Sequence, residues 1–86
     1  MAYEVRLTTT AAKALLSLTR AEQVRITKRT NALAENPRPA GAVKLTGSDG
    51  WRIRVGDYRV VYLIADTVRV VTITRVAHRR EVYRRL

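Results

Sequence analysis

Arg52 and Arg54 alternate on one segment, Arg59 opens the next, and Arg79 and Tyr83 stand four residues apart near the C-terminus. The group is several cations and one phenol. With no Cys, a single His and scattered carboxylates, the chain offers no convergent donors for a metal, and no cofactor is expected. What such side chains can do is grip phosphate and steer a proton. Arginine suits the first task because its planar fork binds two phosphate oxygens at once and never loses its charge. This chemistry points to RNA ahead of other ligands. Taken singly, Arg52 and Arg54 read equally well as a solvated strand face, and Arg79, Arg80, Arg84 and Arg85 as a solvated basic tail. His78 reads as a helix cap or, alternatively, as a proton carrier.

Composition narrows the class. The 86 residues make one domain, 1–86, near the lower size at which a chain folds unaided, and 47% apolar content is enough for a core. Net charge is +10, carried by 14 Arg and 3 Lys. GC-rich codons account for arginine over lysine, but not for the excess of bases over acids. Such a charge disfavours compaction and suits neutralisation by a polyanion or an acidic partner. The absence of Cys fits a reducing compartment. A polar, alternating start shows no signal peptide, and the longest apolar run, Val60 to Ala65, is too short to cross a bilayer. The expectation is a soluble, cytoplasmic protein that does not engage a membrane.

The elements that must hold these residues follow from periodicity. Tyr3 to Thr8 alternates as a strand. Thr8 to Thr10 offers an N-cap to a short helix, Ala11 to Leu18. Thr19 and Glu22 form a capping-box pattern for a second helix from Arg20 to Glu35, with Val24, Leu33 and several alanines as its core stripe and Arg20, Arg25, Lys28 and Arg29 outward. Asn36-Pro37-Arg38-Pro39 ends it. Period two then returns in Val43 to Leu45, Trp51 to Val55, Tyr58 to Ala65 and Val68 to Val76, with Gly56-Asp57 and Asp66-Thr67 as hairpin turns. His78 to Leu86 reads as a short C-terminal helix entered at His78. The expected fold is α+β, in the order β-α-α-β-β-β-α, a twisted and mainly antiparallel sheet with the helix hairpin on one face.

Parity sorts the side chains. Trp51, Ile53 and Val55 share one face, Tyr58 and Tyr62 share that of Val60 and Ile64, and Tyr3 joins them, so the aromatics read as packing. Arg52 and Arg54 take the other face, with Arg59 near the same edge across the turn. Arg79 and Tyr83 project from one side of the terminal helix. Arg59 and Arg79 are both expected to be exposed.

Four runs carry a more specific likeness: Lys44-Leu45-Thr46-Gly47, Trp51-Arg52-Ile53-Arg54, Asp57-Tyr58-Arg59-Val60-Val61-Tyr62 and Val76-Ala77-His78-Arg79-Arg80-Glu81-Val82-Tyr83. Together with Pro37-Arg38 after the helix hairpin, they resemble the RelE family of toxins from bacterial toxin–antitoxin modules across nearly the whole chain. The resemblance implies a ribosome-dependent mRNA endonuclease, metal-independent, held inactive by an acidic antitoxin. It implies partners in mRNA at the ribosomal A site and in ribosomal RNA. It also implies phosphate binding by Arg52 and Arg54, where the family often has lysine, and site roles for Arg59, Arg79 and Tyr83. Arginine in place of lysine keeps the charge but removes an amine that could be deprotonated. The compact loop before the last helix leaves Arg80 as an alternative to Arg79, and His78 as the rival of Tyr83 for the proton. Two other functions fit the same fold: a ParE-like topoisomerase (gyrase) poison and an RNA-binding module without chemistry.

Overall fold

The computed structural model describes residues 2–80. Two threonines start the helices. Thr8 accepts a hydrogen bond from the Ala11 N–H and opens α1, Thr9–Leu16. Thr19 opens α2, Arg20–Ala32, with both bonds of the capping box formed with Glu22. These bonds hold the Glu22 carboxyl below its ordinary range, with a further contribution from the Tyr58 hydroxyl, which ties the start of α2 to the sheet.

Five strands follow the sequence periods: β1 Glu4–Leu7, β2 Val43–Lys44, β3 Trp51–Val55, β4 Tyr58–Ala65 and β5 Val70–His78. They form one sheet in the order β1-β5-β4-β3-β2. The β2-β3-β4-β5 portion is antiparallel, as expected. β1, however, pairs in parallel with β5, so the sheet is mixed. No local pattern could reveal that pairing, because it depends on the helix hairpin carrying the chain from one sheet edge to the other.

Three local corrections have physical reasons. β5 begins at Val70 rather than Val68, because Arg69 adopts φ 56° and lengthens the turn that starts at Asp66. β5 also runs on through His78, two residues past the expected end, and Arg79 and Arg80 directly after it are helical, so this residue closes the strand and stands at the entry of the next element. The rest of the expected terminal helix, 81–86, lies outside the described residues. Finally, Val24 is 54% exposed, and the buried stripe of α2 is Ile26, Thr30 and Leu33. Val24 and Leu33 are nine positions apart, about two and a half turns, and so fall on opposite sides of a helix.

The helix hairpin covers one face of the sheet. Ala11, Ile26 and Leu33 meet Ile53, Val55, Val60, Tyr62, Val71, Ile73 and Val76 in a single core. Tyr62 is fully buried, and its hydroxyl donates to the Pro37 carbonyl at 2.7 Å, which fastens the chain leaving α2 to the sheet. Burial raises the pKa of that phenol. Trp51 and Tyr3 pack at the margin of the same core, as their parity suggested. The Trp51 ring lies 5.3 Å from the Arg38 guanidinium and 5.9 Å from the Lys44 ammonium. Among the described residues, no helix is long and apolar enough to cross a membrane.

Candidate functional site

β3, β4 and β5 are the inner strands of the sheet, and the face they turn away from the helices is basic. The pairing register lays it out in rows. One row runs Arg52, Val61, Arg75, and the next runs Arg54, Arg59, Ala77. Arg54 and Arg59 are therefore direct cross-strand partners. Neighbouring strands lie ~4.8 Å apart, and like charges directly opposite each other are unfavourable. An anion lying across the rows would relieve that repulsion. Neither Arg52 nor Arg54 has an ion-pair partner among the described residues.

The three arginines differ in exposure. Arg54 is exposed and Arg52 half-buried. Arg59, expected to be exposed, is only 5% so. It sits on the inner strand β4, and its Nη1 donates to the Tyr58 carbonyl at 3.4 Å. A cation partly withdrawn from water acts on a nearby anion through a lower effective dielectric, so its field is less screened.

The Gly56-Asp57 turn brings Arg54 and Arg59 together. Gly56 has φ 60° as the first central residue of this two-residue turn, the position where a II′ hairpin needs glycine. The Arg79 N–H donates to the Asp57 carbonyl at 2.8 Å. This bond ties the first helical residue after β5 to the turn and sets the exposed Arg79 beside it, at the Arg54–Arg59 end of the face.

His78 is elsewhere. It pairs with Tyr58, and the two rings meet edge to face with centroids 5.6 Å apart. Tyr58 packs against the core, so His78 occupies the helix side of the sheet and is not brought to the arginine face. Its Nδ1 accepts from the exposed Arg80 N–H at 3.3 Å, a contact of the capping kind. With Nδ1 accepting, the neutral ring keeps its proton on Nε2. Tyr83 lies outside the described residues. No group of three or more His, Asp or Glu among the described residues could hold a metal ion.

Arg75 joins this face without having been picked out from the sequence. A bulge puts it there: Val61 pairs with Arg75 but Tyr62 pairs with Ile73, leaving Thr74 as the extra residue. The Thr74 hydroxyl donates to the Val61 carbonyl at 3.2 Å. The signal in the sequence is the Thr74-Arg75 pair, two polar neighbours where strict alternation allows one.

The comparisons with known proteins agree with this architecture. A family model described as the ParE toxin of the type II toxin–antitoxin system parDE matches residues 5–83. The chain belongs to the RelE/ParE superfamily of type II toxins. Among solved structures, this toxin is similar to RelE in the archaeal RelE–RelB complex of Pyrococcus horikoshii, at 32% identity and TM-score 0.78, over 92% of this chain and 97% of that one. It is also similar to the RelBE2 complex of Mycobacterium tuberculosis, at 30% identity and TM-score 0.82, over 91% and 99%. For the intact Escherichia coli RelBE complex the values are 28% and 0.78, over 90% and 96%. No curated protein matches the toxin.

Proposed function

We propose that this toxin is a ribosome-dependent mRNA endonuclease that cleaves by attack of a ribose 2′-hydroxyl on the adjacent phosphate. The observation that carries the reading is the direct opposition of Arg54 and Arg59, with Arg52 on the same face and Arg79 at its end. In this reaction the 2′-oxygen attacks in line, its proton leaves, and the 5′-oxygen departs. Negative charge grows on the phosphoryl oxygens, where Arg52, Arg54 and Arg59, fixed beforehand on adjacent strands, stabilise it. Arg79 steadies the leaving side. Tyr83 takes the attacking proton: a free phenol titrates at about 10, and any cation close to a phenol favours its phenolate form. The position of His78 on the helix side of the sheet favours Tyr83 for that role. Arginines throughout the group leave no neutral amine to serve as base.

An acidic antitoxin encoded beside the toxin would neutralise it by covering the basic face. Relatives crystallised with RelB support such a partner. The family match to ParE favours a second reading, poisoning of a DNA topoisomerase, and fold alone does not separate the two. Inducible expression followed by mapping of RNA ends distinguishes them. Cuts in translated mRNA are expected, without accumulation of covalent topoisomerase–DNA adducts. Adducts without mRNA cuts would establish the second reading instead.

A further inference from the structure

We propose that Arg75 is a substrate-binding residue that holds the phosphate neighbouring the one cleaved, an inference that rests on the nuclease reading above. Arg75 sits in the row with Val61 and Arg52, separated from Arg52 by one strand. At ~4.8 Å per strand the two arginines flank Val61 with their Cα atoms about 10 Å apart. The adjoining row has Arg54 and Arg59 on two strands and Ala77 on the third. The face is thus a floor of short side chains, Val61 and Ala77, with cations on both sides of it. A single phosphate occupies one side. A continuing polynucleotide must cross to the other, where Arg75 is the cation on β5.

The bulge is what makes this deliberate. Ile73 and Val76 are both buried in the core. Were Thr74 paired as an ordinary strand residue, strict alternation would put Arg75 on the same side as Ile73, inside an apolar core where an arginine is strongly disfavoured. The bulge resets the parity and turns Arg75 outward, half-buried on the arginine face. Bulges recur next to functional sites because they re-aim a side chain in this way. The Thr74 hydroxyl bond to the Val61 carbonyl fixes the bulge to the strand that carries the floor.

The test uses the full-length toxin on ribosomes programmed with mRNA carrying one uncharged methylphosphonate, placed on either side of the scissile phosphate. With natural mRNA, Arg75→Ala is expected to raise KM about tenfold and leave kcat within about twofold, with Arg75→Lys recovering most of the loss. For the wild type, one of the two methylphosphonates should raise KM by a similar factor. Combined with Arg75→Ala, that same methylphosphonate should add nothing, since the contact is already gone. Equal methylphosphonate penalties in wild type and variant, at both positions, would overturn the role of Arg75 while leaving the nuclease reading intact. Failure of the wild type to cut natural mRNA would overturn both. If Arg75→Ala does not unfold cooperatively, Arg75→Gln, which keeps the stem, takes its place in the same cycle.

Discussion

Toward the helices the sheet closes on Ile53, Val60, Tyr62 and Ile73, each 1% exposed or less. Toward the other side, the same strands set Arg54 against Arg59 and place Arg52 and Arg75 around Val61. The two faces differ by a single step of strand parity, yet one packs apolar side chains against the helices and the other gathers arginines. On the proposed function, stability and substrate chemistry fall to alternate residues of the same strands, and substitutions should separate them cleanly.

The largest effect is expected from the proposed base. Tyr83→Phe should slow cleavage by about 10²- to 10⁴-fold, the usual range for general base catalysis, while His78→Ala leaves the rate nearly unchanged. A single-turnover assay on programmed ribosomes measures both, and a strong loss in His78→Ala with a normal Tyr83→Phe would reverse the assignment.

Next is the buried cation. Arg59→Met retains bulk and removes the charge facing Arg54. Cleavage should drop on the order of 10²- to 10³-fold, with stability altered by no more than about 1 kcal/mol. Loss of cooperative thermal unfolding in this variant would make Arg59 a structural residue and erase the division between the faces. The opposite experiment is Ile53→Ala on the helix side. It should cost about 2–5 kcal/mol in denaturant unfolding, yet keep the cleavage rate per folded molecule.

The smallest effect sharpens a third region, the corner where Tyr3 and Arg38 both donate to Asp66, at 2.6 Å and 2.9 Å. The Arg38 bonds, then that from Tyr3, lower the Asp66 carboxyl to about 2. A depressed carboxyl pKa contributes stability above the unfolded value and loses it as pH falls through the folded one. The melting-temperature advantage of wild type over Asp66→Asn should be small, as for an exposed pair, and vanish between about pH 4 and pH 2. An advantage that grew on acidification would contradict the clasp.

Much of this was legible in the residues. β3 and β4 were readable to the residue because Trp51-Arg52-Ile53-Arg54-Val55 alternates cleanly and Gly56-Asp57 leaves room for only one turn. The same alternation placed Arg52, Arg54 and Arg59 together. Thr19 and Glu22 marked the start of α2. What escaped was non-local or a break in period. The parallel β1–β5 pair depends on the whole helix hairpin, and the burial of Arg59 does not follow from its parity on β4, since Leu63 on the same face of that strand is exposed. The Thr74 bulge shifts parity for the residues after it, so Arg75 could not be assigned to a face by counting, nor could His78 be sent to the helix side.

One measurement bears most directly on the nuclease claim: ribosomes are programmed with mRNA whose ribose upstream of the cut carries either its natural 2′-hydroxyl or a 2′-methoxy group. The natural strand should yield a 5′ fragment ending in a 2′,3′-cyclic phosphate, or its opened phosphate, and a 3′ fragment with a free 5′-hydroxyl. The methoxy strand should bind and remain whole. Efficient cutting of the methoxy strand would contradict intramolecular attack, and an uncut natural strand would contradict the nuclease itself.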